Sequence, residues 1–138
     1  MPNSNSTNRR LCIIGESDPF LARLLQRFAE KAGMQVQPAR TGDEVIELVQ
    51  RDKPALIILE PELPGKLRGW EAARLLKAGT GVGDIPLLIC AWLKREEALA
   101  LTGPVAAYLP KPDLHYRDFA AALELAGVKN APKAPDRG

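Results

Sequence analysis

The stretch Ala55–Pro64, reading Ala-Leu-Ile-Ile-Leu-Glu-Pro-Glu-Leu-Pro, does most to limit what this chain can fold into. Leu56, Ile57, Ile58 and Leu59 run without alternation, the pattern of a strand covered on both faces of a parallel sheet. The run stops at an acid, Glu60, followed by Pro61 and Pro64. In open α/β sheets the site lies just outside the carboxyl ends of the strands. A carboxylate at that place faces a crevice rather than the core.

The pattern recurs along the chain. Leu11-Cys12-Ile13-Ile14 is a short buried strand ending near the acids of Gly15-Glu16-Ser17-Asp18. Asp18-Pro19 starts a helix, with Asp as N-cap and Pro at the first helical position. Its apolar face reads Phe20, Leu21, Leu24, Leu25 and Phe28, and Gly33 supplies the stop. Met34–Ala39 alternates like an edge strand, and Thr41-Gly42-Asp43-Glu44 resembles a capping box before a helix carrying Val45, Leu48 and Val49. After the central strand come a short helix over Trp70–Ala78 and a connection over Gly79–Asp84. A strand over Pro86–Ala91, a weaker helix over 94–101 and a fifth strand over Val105–Leu109 follow. The fifth strand runs into Pro110-Lys111-Pro112, and Asp113 is expected to cap a last helix built on Tyr116, Phe119, Ala120 and Leu123. Five strands alternating with five helices imply a doubly wound parallel sheet with right-handed crossovers. The acids after strands one and three and the lysine after strand five then converge at one edge of it.

Composition narrows the function. A net charge of +2 with interleaved Lys/Arg and Asp/Glu carries no nucleic-acid footprint. No apolar stretch is long enough to span a bilayer, and the polar start lacks a hydrophobic signal region. Cys12 and Cys90 sit inside apolar runs, as buried free thiols of a reducing compartment do, so the expected location is the cytoplasm. The single histidine, His115, has no cysteine or second histidine nearby to bind a metal, and none activates Cys90 as a nucleophile. Gly79, Gly81 and Gly83 precede a strand, whereas a dinucleotide fingerprint follows one, so they read as a linker. Residues 1–9 and 128–138 are expected to be disordered tails around a single domain over 10–127.

Four clusters together resemble a response-regulator receiver domain over roughly residues 10–127. They are Glu16-Ser17-Asp18-Pro19, Glu60-Pro61-Glu62-Leu63-Pro64, Cys90-Ala91-Trp92 and Tyr108-Leu109-Pro110-Lys111-Pro112. The resemblance implies a flavodoxin-like sheet in the order 2-1-3-4-5 with the site at the switch point. It also implies an acid pair after strand one, a phospho-accepting Asp after strand three, a Thr or Ser ending strand four, and a Lys-Pro after strand five.

The departures from that pattern shape the expected function. With Pro19 aligned, Glu16 and Ser17 fall on the acid pair, so a neutral hydroxyl replaces the acid that resembles a direct magnesium ligand. Asp18 is one residue further on and is taken as the helix cap. Glu60 stands at the acceptor position, one methylene longer than Asp. Cys90 or Ala91 takes the place of the strand-four hydroxyl, with one residue of ambiguity. Phosphoryl transfer rests on positioning and charge stabilisation, so these losses together predict a degenerate receiver. It would be no enzyme, would bind Mg²⁺ weakly or not at all, and would act as a phosphorylation-independent interaction module. Its partner would be a signalling protein or a linked output or kinase domain, met through helix four, strand five and helix five, a face that also allows a homodimer.

Several readings stay open at this level. Glu60 either mimics a phosphorylated acceptor, forms a structural pair with Lys111, or accepts phosphate. Tyr108 resembles the family's switch aromatic but also suits a core or interface position. Trp92, expected at the pocket mouth, either fills the phosphate site, forms a binding anchor, or packs on the fourth helix. The alternative function is a working phosphoryl acceptor in which Glu16, Asp18 or Glu62 supplies the metal.

Overall fold

The computed structural model describes residues 8–128. The strands are β1 (Asn8–Gly15), β2 (Gln35–Ala39), β3 (Pro54–Leu59), β4 (Leu87–Ala91) and β5 (Ala107–Pro110). Between and after them lie α1 (Pro19–Lys31), α2 (Gly42–Asp52), α3 (Gly69–Ala78), α4 (Arg95–Thr102) and α5 (Tyr116–Leu125). All strands are parallel, in the order β2-β1-β3-β4-β5. This is the flavodoxin-like arrangement expected from the sequence. No described helix is long and apolar enough to cross a membrane.

The unbroken aliphatic runs follow from coverage on both sides. Cys12, Ile14, Leu56, Ile58, Leu88 and Cys90 face Leu21, Leu25 and Ala29 of α1 and Phe119, Ala122 and Leu123 of α5. Ile13, Ile57, Leu59, Ile89 and Ala91 face α2 and α3, with only Ala98 of α4 joining that apolar core. The third helix holds the fourth by its polar ends: the Arg74 guanidinium donates to Leu101 O at 2.5 Å and Ala100 O at 3.1 Å, and Lys77 donates to Pro104 O.

Local chemistry sets the element ends. Asp18 Oδ1 accepts the N–H groups of Phe20 (2.8 Å) and Leu21 (3.2 Å), and Thr41 Oγ1 accepts that of Glu44 at 3.1 Å. Arg10 donates to Gly33 O and Ala32 O, both at 2.9 Å, and so satisfies carbonyls at the close of α1.

Some expectations need correction. Phe20 is 67% exposed rather than part of the core face. The buried line of α1 is Leu21, Leu25 and Ala29, and Phe20 lies about 100° around the helix from it. The last helix is capped at His115, without a side-chain bond, rather than at Asp113. The chain first turns to bury Leu114, whose N–H donates to Pro112 O at 3.0 Å, and Asp113 instead meets His115 Nε2 at 2.9 Å. β1 starts at Asn8, pairing with Pro54, three residues before the expected start at Leu11. β5 begins at Ala107, two residues later than expected. The expected tails otherwise lie outside the described residues, apart from Asn8 and Arg9 in β1 and Val128, whose N–H donates to Leu123 O at 2.9 Å.

Two glycines let the loop between β3 and α3 close over the sheet. A Cβ on Gly69 would stand 1.9 Å from Glu60 O, and one on Gly42 would stand 2.1 Å from Leu67 O. Gly69 N–H also donates to Leu63 O, and Trp70 N–H to Pro61 O, each at 2.9 Å. The start of α3 is thereby pressed against the backbone that carries Glu60. Gly69→Ala is expected to destabilise the fold by about 1–3 kcal/mol, since neither backbone can yield to a methyl group. Urea unfolding should show a lower midpoint at unchanged slope. An unchanged midpoint would mean that the close approach is dispensable.

Candidate functional site

Glu16, Glu60 and Lys111 each extend a strand by a step. The ladder continues past β3 and β5 through Glu60 N–H donating to Gly15 O and Lys111 N–H donating to Ala91 O, both at 2.9 Å. Side chains alternate along a strand, so positions two apart share a face. Glu16 follows Ile14, Glu60 follows Ile58 and Lys111 follows Leu109, all three on the face covered by α1 and α5. The three polar side chains therefore emerge together above one apolar stripe. All three residues are more than nine-tenths buried.

Lys111 Nζ lies 2.6 Å from Glu16 Oε1 and 2.8 Å from Glu60 Oε1. Glu60 Oε2 accepts the Ser17 hydroxyl at 2.6 Å and the Ser17 N–H at 3.1 Å. Glu16 Oε2 accepts the Asp18 N–H at 3.0 Å. Every carboxylate oxygen thus meets a proton donor or the ammonium. Glu16 Oε1 meets Lys111 as an ion pair outside good hydrogen-bond alignment.

Two carboxylates against one ammonium leave one negative charge in excess, and the surroundings decide where it is tolerated. Burial pushes the Glu60 carboxyl up, but hydrogen bonds from Lys111 and Ser17 outweigh it and hold the group below the usual carboxylate range. Burial also pushes Glu16 up, and there Lys111 and the Asp18 N–H do not fully offset it. Burial lowers the Lys111 ammonium, yet its contacts with Glu16 and Glu60 leave it raised.

The other sequence-selected residues divide around this cluster. Asp18 contributes its N–H while its carboxylate caps α1. Glu62 is exposed, and no described contact brings it to the cluster. Cys90 lies on the cluster's face of the sheet, fully buried, with its thiol pushed up to about 12 by burial. Ala91 ends β4 on the opposite face. Neither offers a hydroxyl. Trp92 is 56% exposed, with Lys111 Nζ 5.8 Å from its ring centroid, so the indole overhangs the ammonium from the solvent side. Tyr108 is half-buried, and its hydroxyl donates to Leu93 O in the loop before α4. The bonds from Ser17 to Glu60 and from Tyr108 to Leu93 were not legible in the sequence, because they depend on how separate loops fold against each other. The Lys111–Pro112 peptide is cis.

The family model of the response regulator receiver domain matches residues 12–113. The response regulator MprA of Mycobacterium leprae is 32% identical over 99 residues, covering 70% of this chain and 42% of that protein. The chain therefore spans less than half the length of that relative. PilH of Pseudomonas aeruginosa is 30% identical over 106 residues, covering 70% of this chain and 86% of PilH. The receiver domain of a histidine kinase from Syntrophus aciditrophicus superposes with a TM-score of 0.74 at 23% identity, covering 93% of this chain and 98% of that one, a likeness of fold.

The site's electrostatics predict an asymmetric response to pH. A Glu60 pKa below its unfolded value of about 4.3 adds stability that is complete above that pH and lost as the pH falls through the folded value. A raised Glu16 acts oppositely, withdrawing stability as the pH rises through its folded value. The stability gap between the natural protein and Glu60→Gln should therefore widen from about pH 3 to about pH 7, as measured by urea unfolding. A gap independent of pH would contradict the assignment. Lys111→Met strands two buried carboxylates and should cost about 3–5 kcal/mol near neutral pH by the same measurement. A loss under about 1 kcal/mol would mean that the ammonium is not compensating them.

Proposed function

The chain belongs to the response regulator receiver domain family of two-component signalling, and on that footing we propose that it is a degenerate receiver that binds its partner without being phosphorylated. The family is a signalling module rather than an enzyme class. One observation carries the reading. The Lys111 ammonium is buried between Glu16 and Glu60, and Ser17 occupies the remaining oxygen of Glu60.

This donor set suits a hard divalent cation poorly. Magnesium seeks carboxylate and water oxygens in near-octahedral array. Here the position of the second acid holds a hydroxyl that donates to Glu60, and both carboxylates are already matched to one fixed cation. Glu60 is also engaged at both oxygens, so attack on a phosphoryl group would require breaking bonds to Lys111 or Ser17. The same pairing supports the reading of Glu60 as a built-in substitute for charge that phosphorylation would bring. With β4 ending at Ala91 and Cys90 on the cluster's face of the sheet, no hydroxyl stands there to follow a change in that charge.

The partner surface is the face of α4, β5 and α5. Tyr108 tied to Leu93 O holds the loop leading into α4, beside a groove of about 360 Å³ lined by Leu99, Val105, Tyr108 and Leu125 among others. Leu125 is 76% exposed there, an apolar contact available to a signalling protein, to a linked domain or to a second copy.

Intact mass after incubation with Mg²⁺ and a small-molecule phosphodonor tests this directly. The natural protein is expected to gain no phosphoryl group, while Glu60→Asp, which restores the shorter acceptor, serves as the comparison. A Mg²⁺-dependent adduct on the natural protein would overturn the reading and identify a working relay. Glu60→Gln should weaken partner binding if the carboxylate acts as a phosphate substitute, and unchanged binding would leave it a structural pair.

A further inference from the structure

A second concavity opens beside the acid cluster, between α1 and the β2 edge of the sheet. It encloses about 520 Å³, within the usual range for a small-molecule site. Ile14, Val36 and Ala39 give it an apolar floor, and Arg23, Gln26 and Arg40 stand on its walls. Among the described residues neither guanidinium is held in an ion pair. Glu44 takes the backbone N–H of Arg40 rather than its side chain. Glu16 also reaches this wall, but Lys111 lies 2.6 Å from it, and the Asp18 carboxylate is turned to the start of α1. Two positive groups thus face a shared space whose nearby acids are already engaged.

We propose that this groove binds a small organophosphate with a flat apolar body, of the nucleoside monophosphate class. Arg23 and Arg40 clamp the phosphate, as planar guanidinium forks do for phosphate oxygens. The floor takes the face of the base. Gln26 donates its amide nitrogen to Glu30 Oε2 at 3.2 Å, which leaves its carbonyl oxygen to accept from an exocyclic amine. A bound peptide strand fits less well, because Pro38 on the β2 rim has no N–H for an added ladder. Ser17 lines both this groove and the Glu60 cluster, so an occupant would touch the residue that holds Glu60.

The test is a ¹H–¹⁵N NMR titration of the whole chain with AMP, adenosine, inorganic phosphate and a tetraglutamate peptide. AMP is expected to move the amides of residues 14–18, 20–23, 36, 37, 39 and 40, with adenosine and phosphate each binding about tenfold or more weakly. Arg23→Ala and Arg40→Ala, both at exposed positions, should each weaken AMP about tenfold while leaving the remaining amide pattern unchanged. The proposal fails if AMP moves none of these amides, or if both substitutions leave its binding unchanged. Phosphate binding as tightly as AMP would reduce the groove to an anion patch and overturn the nucleotide assignment, as would binding of the peptide in place of AMP. None of these outcomes depends on whether Glu60 accepts phosphate.

Discussion

The Lys111 ammonium is the charge on which the carboxyl edge of this sheet depends. Glu16 and Glu60 end adjacent strands and are driven inward by the same register that packs Ile14 and Ile58. Two buried carboxylates at that spacing repel each other and lose their hydration. One ammonium between them offsets both penalties only in part, and for that reason Ser17 and the Asp18 N–H are drawn in as additional donors. The split of acidities between Glu60 and Glu16 follows from who receives the better donors. Glu60 has an aligned ammonium, a hydroxyl and an amide, whereas Glu16 has one amide and an ammonium out of line.

The scaffold keeps that arrangement rigid by backbone contact as much as by side chains. Gly69 lets α3 press on the carbonyl of Glu60, and Gly42 does the same for the far end of the loop at Leu67. The Asp43 carboxylate takes the Leu67 N–H at 3.0 Å, a bond that holds its pKa below the usual carboxylate range. The opposite flank is fastened by polar ties from α3 to α4 and from Tyr108 to Leu93, since α4 places little apolar surface in the core. A phosphate-responsive device at this site would have to move groups that are held by several bonds at once.

Legibility differed between elements for physical reasons. The strands were readable because burial on both faces demands unbroken aliphatic runs, and Asp18-Pro19 was readable because a cap and a fixed φ act within a few residues. Phe20 misled because helical periodicity locates an apolar arc but not which edge of it the sheet covers. Asp113 misled because the demand to bury Leu114 delayed the helix beyond the nearest capping residue. The choice between Cys90 and Ala91 could not be made from spacing alone. Pairing of Ala91 with Pro110 places Ala91 at the end of β4, and the pleat puts Cys90 on the side of Lys111.

The sequence by itself determined the class of fold, the strand ends that carry polar residues, and the chemical types available there: two longer acids, a hydroxyl and a lysine. These follow from local composition and period, which need no knowledge of distant neighbours. Only the tertiary structure decided that Lys111 would be shared by both acids, that Ser17 would spend its hydroxyl on Glu60, and that Arg23 and Arg40 would face one groove. Those outcomes join positions far apart in the chain. They are set by strand register, by the pleat and by the close approach of glycines, none of which a single stretch of residues contains.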